Sequence, residues 1–85
     1  MAIEWRTEPE YSDPTSQEYI APRLDMTNCQ ACASKESAAW LQFLNERNGC
    51  ISDGGGAAVV ANCINLAWAF YYSSVYNCMK DNGCL

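Results

Sequence analysis

From residue 29 onward apolar residues recur at helical intervals in two segments separated by Ser52-Asp53-Gly54-Gly55-Gly56, whereas residues 1–28 show little period. In the first segment Cys32, Ala39, Phe43 and Cys50 recur near the helical repeat, with Ala33, Trp40 and Leu44 one position beside them. Lys35, Glu36, Gln42 and Glu46 fall mainly on the other side. This pattern predicts an amphipathic helix with one wide apolar face, on which Trp40 and Phe43 are core residues. Thr27 followed by Gln30 reads as a capping box at its start, and Asn48-Gly49 as its C-terminal cap.

The second segment differs. With Ser52 or Asp53 as N-cap, an uncharged run extends from Gly54 to Met79 and carries apolar residues most of the way round. Such a helix is buried on more than one side or crosses a membrane, and its length alone would permit a span. Asn62, Asn65, Ser73, Ser74 and Asn77, the three glycines, Cys63 and Cys78, and the lack of basic flanks at the Gly end argue against one. The first helix is therefore expected to cover one side of the second, leaving Trp68, Tyr71, Tyr72 and Tyr76 to face the N-terminal region or a partner protein.

The cysteines change this picture from two helices to a closed hairpin. All six lie after residue 28, and they are arranged almost symmetrically about the Gly-rich turn. At about 100° and 1.5 Å per residue, Cys32 and Cys50 share one helix face roughly 27 Å apart, and Cys63 and Cys78 are roughly 22 Å apart and about 60° out of line. An antiparallel hairpin closes at both ends if the surplus of roughly 4 Å is absorbed by a bend after Asn48-Gly49. Six cysteines admit fifteen connectivities and spacing does not exclude the rest. The preferred set is Cys29 with Cys84, Cys32 with Cys78, and Cys50 with Cys63. Bridges of this kind contribute about 2–4 kcal/mol each, comparable to the whole stability of a small domain. They imply an oxidising compartment.

The fold class expected is thus all-α: a disulfide-stapled antiparallel helical hairpin, residues 29–85, preceded by an extended acidic arm, residues 1–28. The arm holds all three prolines, no cysteine, and six acids against Arg6 and Arg23, so it carries a net −4 of the chain's −5. Trp5, Tyr11, Tyr19, Ile20 and Leu24 are apolar anchors spaced along it. Either they pack on the arm's own hairpin or they grip a partner; the second reading is preferred, which makes the arm an interaction strap outside the folding unit, with Trp5 and Tyr19 dominant. The N-terminus has no basic region followed by an apolar one and is too acidic for a transit peptide, and a Met at position 1 favours entry into an oxidising space without a signal.

Catalysis finds little support. There is no His, which removes Cys-His, Ser-His-Asp and His-bearing metal arrangements. Cys29-Gln30-Ala31-Cys32 has the spacing of a redox pair near a helix start, but four further cysteines are available as structural partners. Cys29, Cys32, Cys78 and Cys84 could instead form an all-thiolate zinc site, although the Cys78-x5-Cys84 spacing is loose for ligands. Gly54-Gly55-Gly56 lacks the Lys-Ser/Thr of a phosphate loop. Five bases against ten acids disfavour nucleic acid. The chain is expected to be no enzyme and to hold no cofactor or metal.

Two antiparallel helices clamped by nested disulfides, without a presequence, resemble the CHCH (twin Cys-x9-Cys) proteins of the mitochondrial intermembrane space. The likeness spans roughly residues 29–84 and is architectural; seventeen residues separate Cys32 from Cys50 and fourteen separate Cys63 from Cys78, where that family usually has nine. It implies oxidation by a disulfide relay on import and a role as an accessory subunit or assembly factor of a respiratory complex. The outer spacings, Cys29-x2-Cys32 and Cys78-x5-Cys84, are similar to those of saposin-like proteins, whose cysteines pair first with last and second with fifth and which bind or perturb lipids. Ciliate pheromones offer a weaker comparison in size, acidity and cysteine count. The function expected is that of a structural accessory subunit of a mitochondrial membrane complex of respiratory-chain or ATP synthase type. It would lie close to the membrane and bind other protein subunits through Trp5, Tyr11, Tyr19, Trp68 and Tyr72. A secreted lipid-binding or signalling module is the alternative.

Overall fold

A computed structural model of the chain describes Trp5 and residues 21–85, and among these residues it contains two long helices and no strand. A 3-10 turn, Gln30–Cys32, leads into α1, Ala33–Asp53; the link 54–56 reverses the chain into α2, Ala57–Asp81. The all-α hairpin is stapled by Cys29–Cys84, Cys32–Cys78 and Cys50–Cys63, the nested set, with Cα–Cα spans of 5.9, 5.9 and 5.8 Å that lie within ordinary disulfide reach. All six thiols are consumed. Cys29 and Cys32 therefore bond outward, and neither a Cys-x-x-Cys redox pair nor a four-thiolate zinc site arises from them.

The helix ends differ from expectation. Gly49 does not cap α1, which runs on through Cys50 to Asp53 and stops at Gly54 (φ 73°, ψ −156°). A mid-helix glycine costs about 1 kcal/mol relative to alanine. Ending the helix there would carry the buried Cys50 and half-buried Ile51 away from α2, and that contact outweighs the propensity term. Ser52 and Asp53 likewise belong to α1, and the N-cap of α2 is Gly56, whose carbonyl accepts from the amides of Val59 and Val60.

At the other end the expected capping box does not form. The Thr27 hydroxyl and amide both donate to Asp25 Oδ1, at 2.5 and 2.8 Å, and Gln30 Nε2 donates to the Thr27 carbonyl. Asp25 competes for Thr27 because an aspartate two residues upstream closes a local turn of its own. The C-terminus of α2 closes in a Schellman turn. Cys84 N–H reaches the Met79 carbonyl at 2.8 Å and Gly83 N–H the Lys80 carbonyl at 3.2 Å, with Gly83 at φ 71°. That left-handed residue turns Cys84 back across the hairpin to meet Cys29. Asn82 Nδ2, donating to the Cys78 carbonyl at 2.8 Å, lies over the inner bridge.

The core is one seam between the helices. α2 contributes Val60, Ile64, Ala67, Tyr71, Val75 and Met79, a run at intervals of three and four, and α1 contributes Phe43 and Cys50 with Trp40 and Leu44 beside them. Two charged residues share the α1 stripe: Glu36, placed on the polar side by the sequence pattern, is 1% exposed, and Arg47 is also buried. Ala21, Leu24 and Met26 complete the same core, Leu24 being fully buried. For residues 21–28, then, the arm belongs to the folding unit; burying Leu24 alone is worth about 1.5–3 kcal/mol. No helix among the described residues is long and apolar enough to cross a membrane.

Candidate interaction site

On α2, Trp68, Tyr72 and Tyr76 follow one another at intervals of four, so their rings lie along one flank of the core seam. Trp68 and Tyr72 stack at 5.4 Å between centroids and Tyr72 and Tyr76 at 5.9 Å, with interplanar angles of 28° and 23°. Trp5 lies against this ladder, 5.9 Å from Trp68 and 6.0 Å from Tyr72, tilted by 20° and 13°. Three of the five residues expected to form an interface are thereby brought into one stack. Tyr11 and Tyr19 lie outside the described residues. Trp5 spends one face on its own hairpin and still leaves 43% of its surface to solvent, as Tyr76 leaves 36%.

What holds Trp5 there is the end of the arm. Trp5 and Leu24 form an isolated antiparallel bridge, and Trp68 Nε1 donates to the Pro22 carbonyl at 2.8 Å. The proline fixes its own φ and disfavours helix in the residue before it, and its carbonyl is left to accept from Trp68. An indole N–H at the margin of an apolar face needs an acceptor, and this one is supplied by the chain itself.

Beneath the ladder is a polar cluster. Arg23 Nε and Nη2 donate to Glu36 Oε2 and Oε1 at 2.7 and 2.9 Å, a bidentate pair with its carboxylate buried and its guanidinium partly exposed. Tyr71 Oη donates to Glu36 Oε2 at 2.6 Å and accepts from the Leu24 amide at 3.0 Å. Arg23 also lies over the Trp40 ring at 5.1 Å, and Trp40 meets Tyr71 edge to face at 5.2 Å. Burial raises the Tyr71 phenol well above its ordinary value, and its bond to the Glu36 carboxylate adds to the rise. Tyr71 therefore stays a proton donor, and every buried polar group of the cluster has a partner of opposite kind.

The sequence pattern does not predict this cluster, because Arg23 sits in a segment without period and Glu36 falls on the polar side of the first amphipathic segment. A signal existed. Glu36, Trp40, Phe43 and Arg47 are spaced by four, three and four, one helix stripe, so a carboxylate among those aromatics required a cation from elsewhere. The site presents aromatic faces, an indole donor already satisfied and a neutralised charge pair, and among the described residues no group of three or more His, Cys, Asp or Glu is placed to hold a metal. No family model, curated protein or solved structure matches the chain.

Proposed function

We propose that the protein is a non-catalytic accessory subunit of a larger membrane-associated assembly in an oxidising compartment, of the kind found on the intermembrane-space side of the mitochondrial inner membrane. The observation that carries this reading is the partly exposed Trp5–Trp68–Tyr72–Tyr76 stack on a covalently stapled scaffold. Aromatic rings held rigid and left half wet are the anchors from which protein interfaces take most of their energy. Pre-organisation by three bridges lowers the entropy lost on docking. The antiparallel pair of helices with nested disulfides supports the CHCH-like reading in architecture.

Protease protection and native gel electrophoresis of the tagged protein in its own cells test the proposal. Expected are protection in intact mitochondria, digestion after rupture of the outer membrane, and migration with a high-mass assembly that is lost on Trp68→Ala with Tyr72→Ala. Recovery from the culture medium as a free monomer overturns it. That outcome would favour a secreted module, a reading to which the first-with-last and second-with-fifth pairing also lends itself.

A further inference from the structure

The two flanks of the hairpin are unlike. Trp5 and Pro22 lie on the one that carries Trp68 and Tyr72. On the other flank α2 exposes Val59 (65%), Leu66 (55%) and Phe70 (70%), spaced by seven and four and hence aligned along one stripe. Between this stripe and α1 runs a trough. Its half nearest the turn encloses about 500 Å³ and is bounded on α1 by Glu46, Gly49 and Asp53. The further half, about 420 Å³, continues between Ala39 and Gln42 on one side and Phe70 and Ser74 on the other.

Gly49 gains a purpose here. It stands on the wall of the trough with nothing within 4 Å of where a Cβ would be, so the helix is left bare where an incoming side chain would press. Among the described residues the charge is of one sign: Glu46 and Asp53 line the trough and no Lys or Arg does, Arg23 being engaged with Glu36 and Lys35, Arg47 and Lys80 absent from its walls. A long apolar stripe in a two-helix groove receives an amphipathic helix through anchors at intervals of three, four and seven. Acids along its wall select a helix whose flanks are basic.

We propose that this trough is a second docking surface, independent of the aromatic stack, whose occupant is a cationic amphipathic helix of a partner protein. A second copy of this chain fits poorly, because its own trough would set Glu46 and Asp53 against themselves and the chain carries a net −5.

The test uses the full oxidised chain and two fluorescein-labelled helical peptides of about 14 residues, some four turns, with Leu at the anchor positions and either Lys or Glu on the flanks. In anisotropy titrations the Lys peptide should bind at least about tenfold more tightly than the Glu peptide. Phe70→Ala with Leu66→Ala should weaken it by a similar factor, Glu46→Lys with Asp53→Lys should reverse the preference, and Trp5→Ala, on the other flank, should change nothing. The substituted Phe70 and Leu66 are exposed, so circular dichroism of those variants should match the parent. Equal affinity for the two peptides, no binding of either, or loss of binding with Trp5→Ala but not Phe70→Ala overturns the proposal. So does a sedimenting dimer that Phe70→Ala dissociates, which would give the trough to a second copy.

Discussion

Arg23 and Glu36, thirteen residues apart, meet in two parallel N–H···O bonds of 2.7 and 2.9 Å, and this pair ties the end of the arm to α1. The carboxylate is buried and the guanidinium is only partly so, which places the cost of separation mainly on Glu36. Removing one partner leaves a buried charge without compensation, a loss of about 3–5 kcal/mol for fully buried pairs and less where one member reaches water. Arg23→Ala is therefore expected to lower stability by about 2–4 kcal/mol in denaturant unfolding with disulfides intact, and Arg23→Ala with Glu36→Leu by less than the sum of the two single changes. Additive losses would show that the pair does not act as a unit.

Tyr71 makes stability depend on alkaline pH. Its phenol is held above its ordinary value of 10.0, so the folded chain keeps a proton that the unfolded chain releases. The unfolded state then binds fewer protons, and stability falls as pH rises through about 10. Below that pH the contribution is fully present. Tyr71→Phe, which deprives Glu36 and the Leu24 amide of a partner, should cost about 1–3 kcal/mol near neutral pH. The gap between the two proteins should narrow between about pH 9 and pH 11. A gap constant across that range contradicts the assignment.

The two glycines at either side of the end of α1 should respond oppositely to alanine. Gly54, at φ 73° and ψ −156°, occupies a region that other residues rarely enter, and Gly54→Ala should destabilise by about 1–3 kcal/mol. Gly49 is in regular helix with open space around it, and Gly49→Ala should stabilise by about 0.5–1 kcal/mol. Thermal melts of both variants decide this, and a destabilising Gly49→Ala would restore the helix end at that residue.

Bridge removal should be graded. In the inner bridge Cys32 is wholly buried within the hairpin, whereas Cys84 of the outer bridge lies beyond the end of α2. The loops closed by Cys29–Cys84 and Cys32–Cys78 span 55 and 46 residues, too similar for chain entropy to separate them by more than a few tenths of a kcal/mol. Packing decides instead, and replacing Cys29 and Cys84 together should lower the melting temperature less than replacing Cys32 and Cys78. Non-reducing peptide mapping of the parent should recover Cys32 joined to Cys78 and Cys50 to Cys63; a Cys32–Cys50 peptide would refute the hairpin.

Shortening the arm in two steps separates its roles. A chain beginning at Ala21 keeps Leu24, Met26 and the Arg23–Glu36 pair, and should retain its helical circular dichroism with a modestly lower melting point from the loss of Trp5. A chain beginning at Asn28 loses the three core contacts as well and should be destabilised by several kcal/mol more. Equal melting points for the two would return residues 21–27 to the role of an external strap.

Local pattern was enough for the two helices and their reversal at the glycines, and it favoured the nested bridges without excluding other pairings, because helical period, turn chemistry and the number of turns between cysteines are all properties of a chain read along its length. It also points to Trp5, Trp68 and Tyr72, which the fold stacks together, and equally to Tyr11 and Tyr19, which lie outside the described residues. Contacts across the fold decided the rest. Whether Gly49 ends a helix depends on what Cys50 gains by staying in it, and whether Thr27 caps depends on Asp25 reaching it first. Above all, Glu36 is buried because Arg23 and Tyr71 arrive from other parts of the chain to neutralise and bond it, and the desolvation of a charge is set by its neighbours in space, which no interval along the sequence contains.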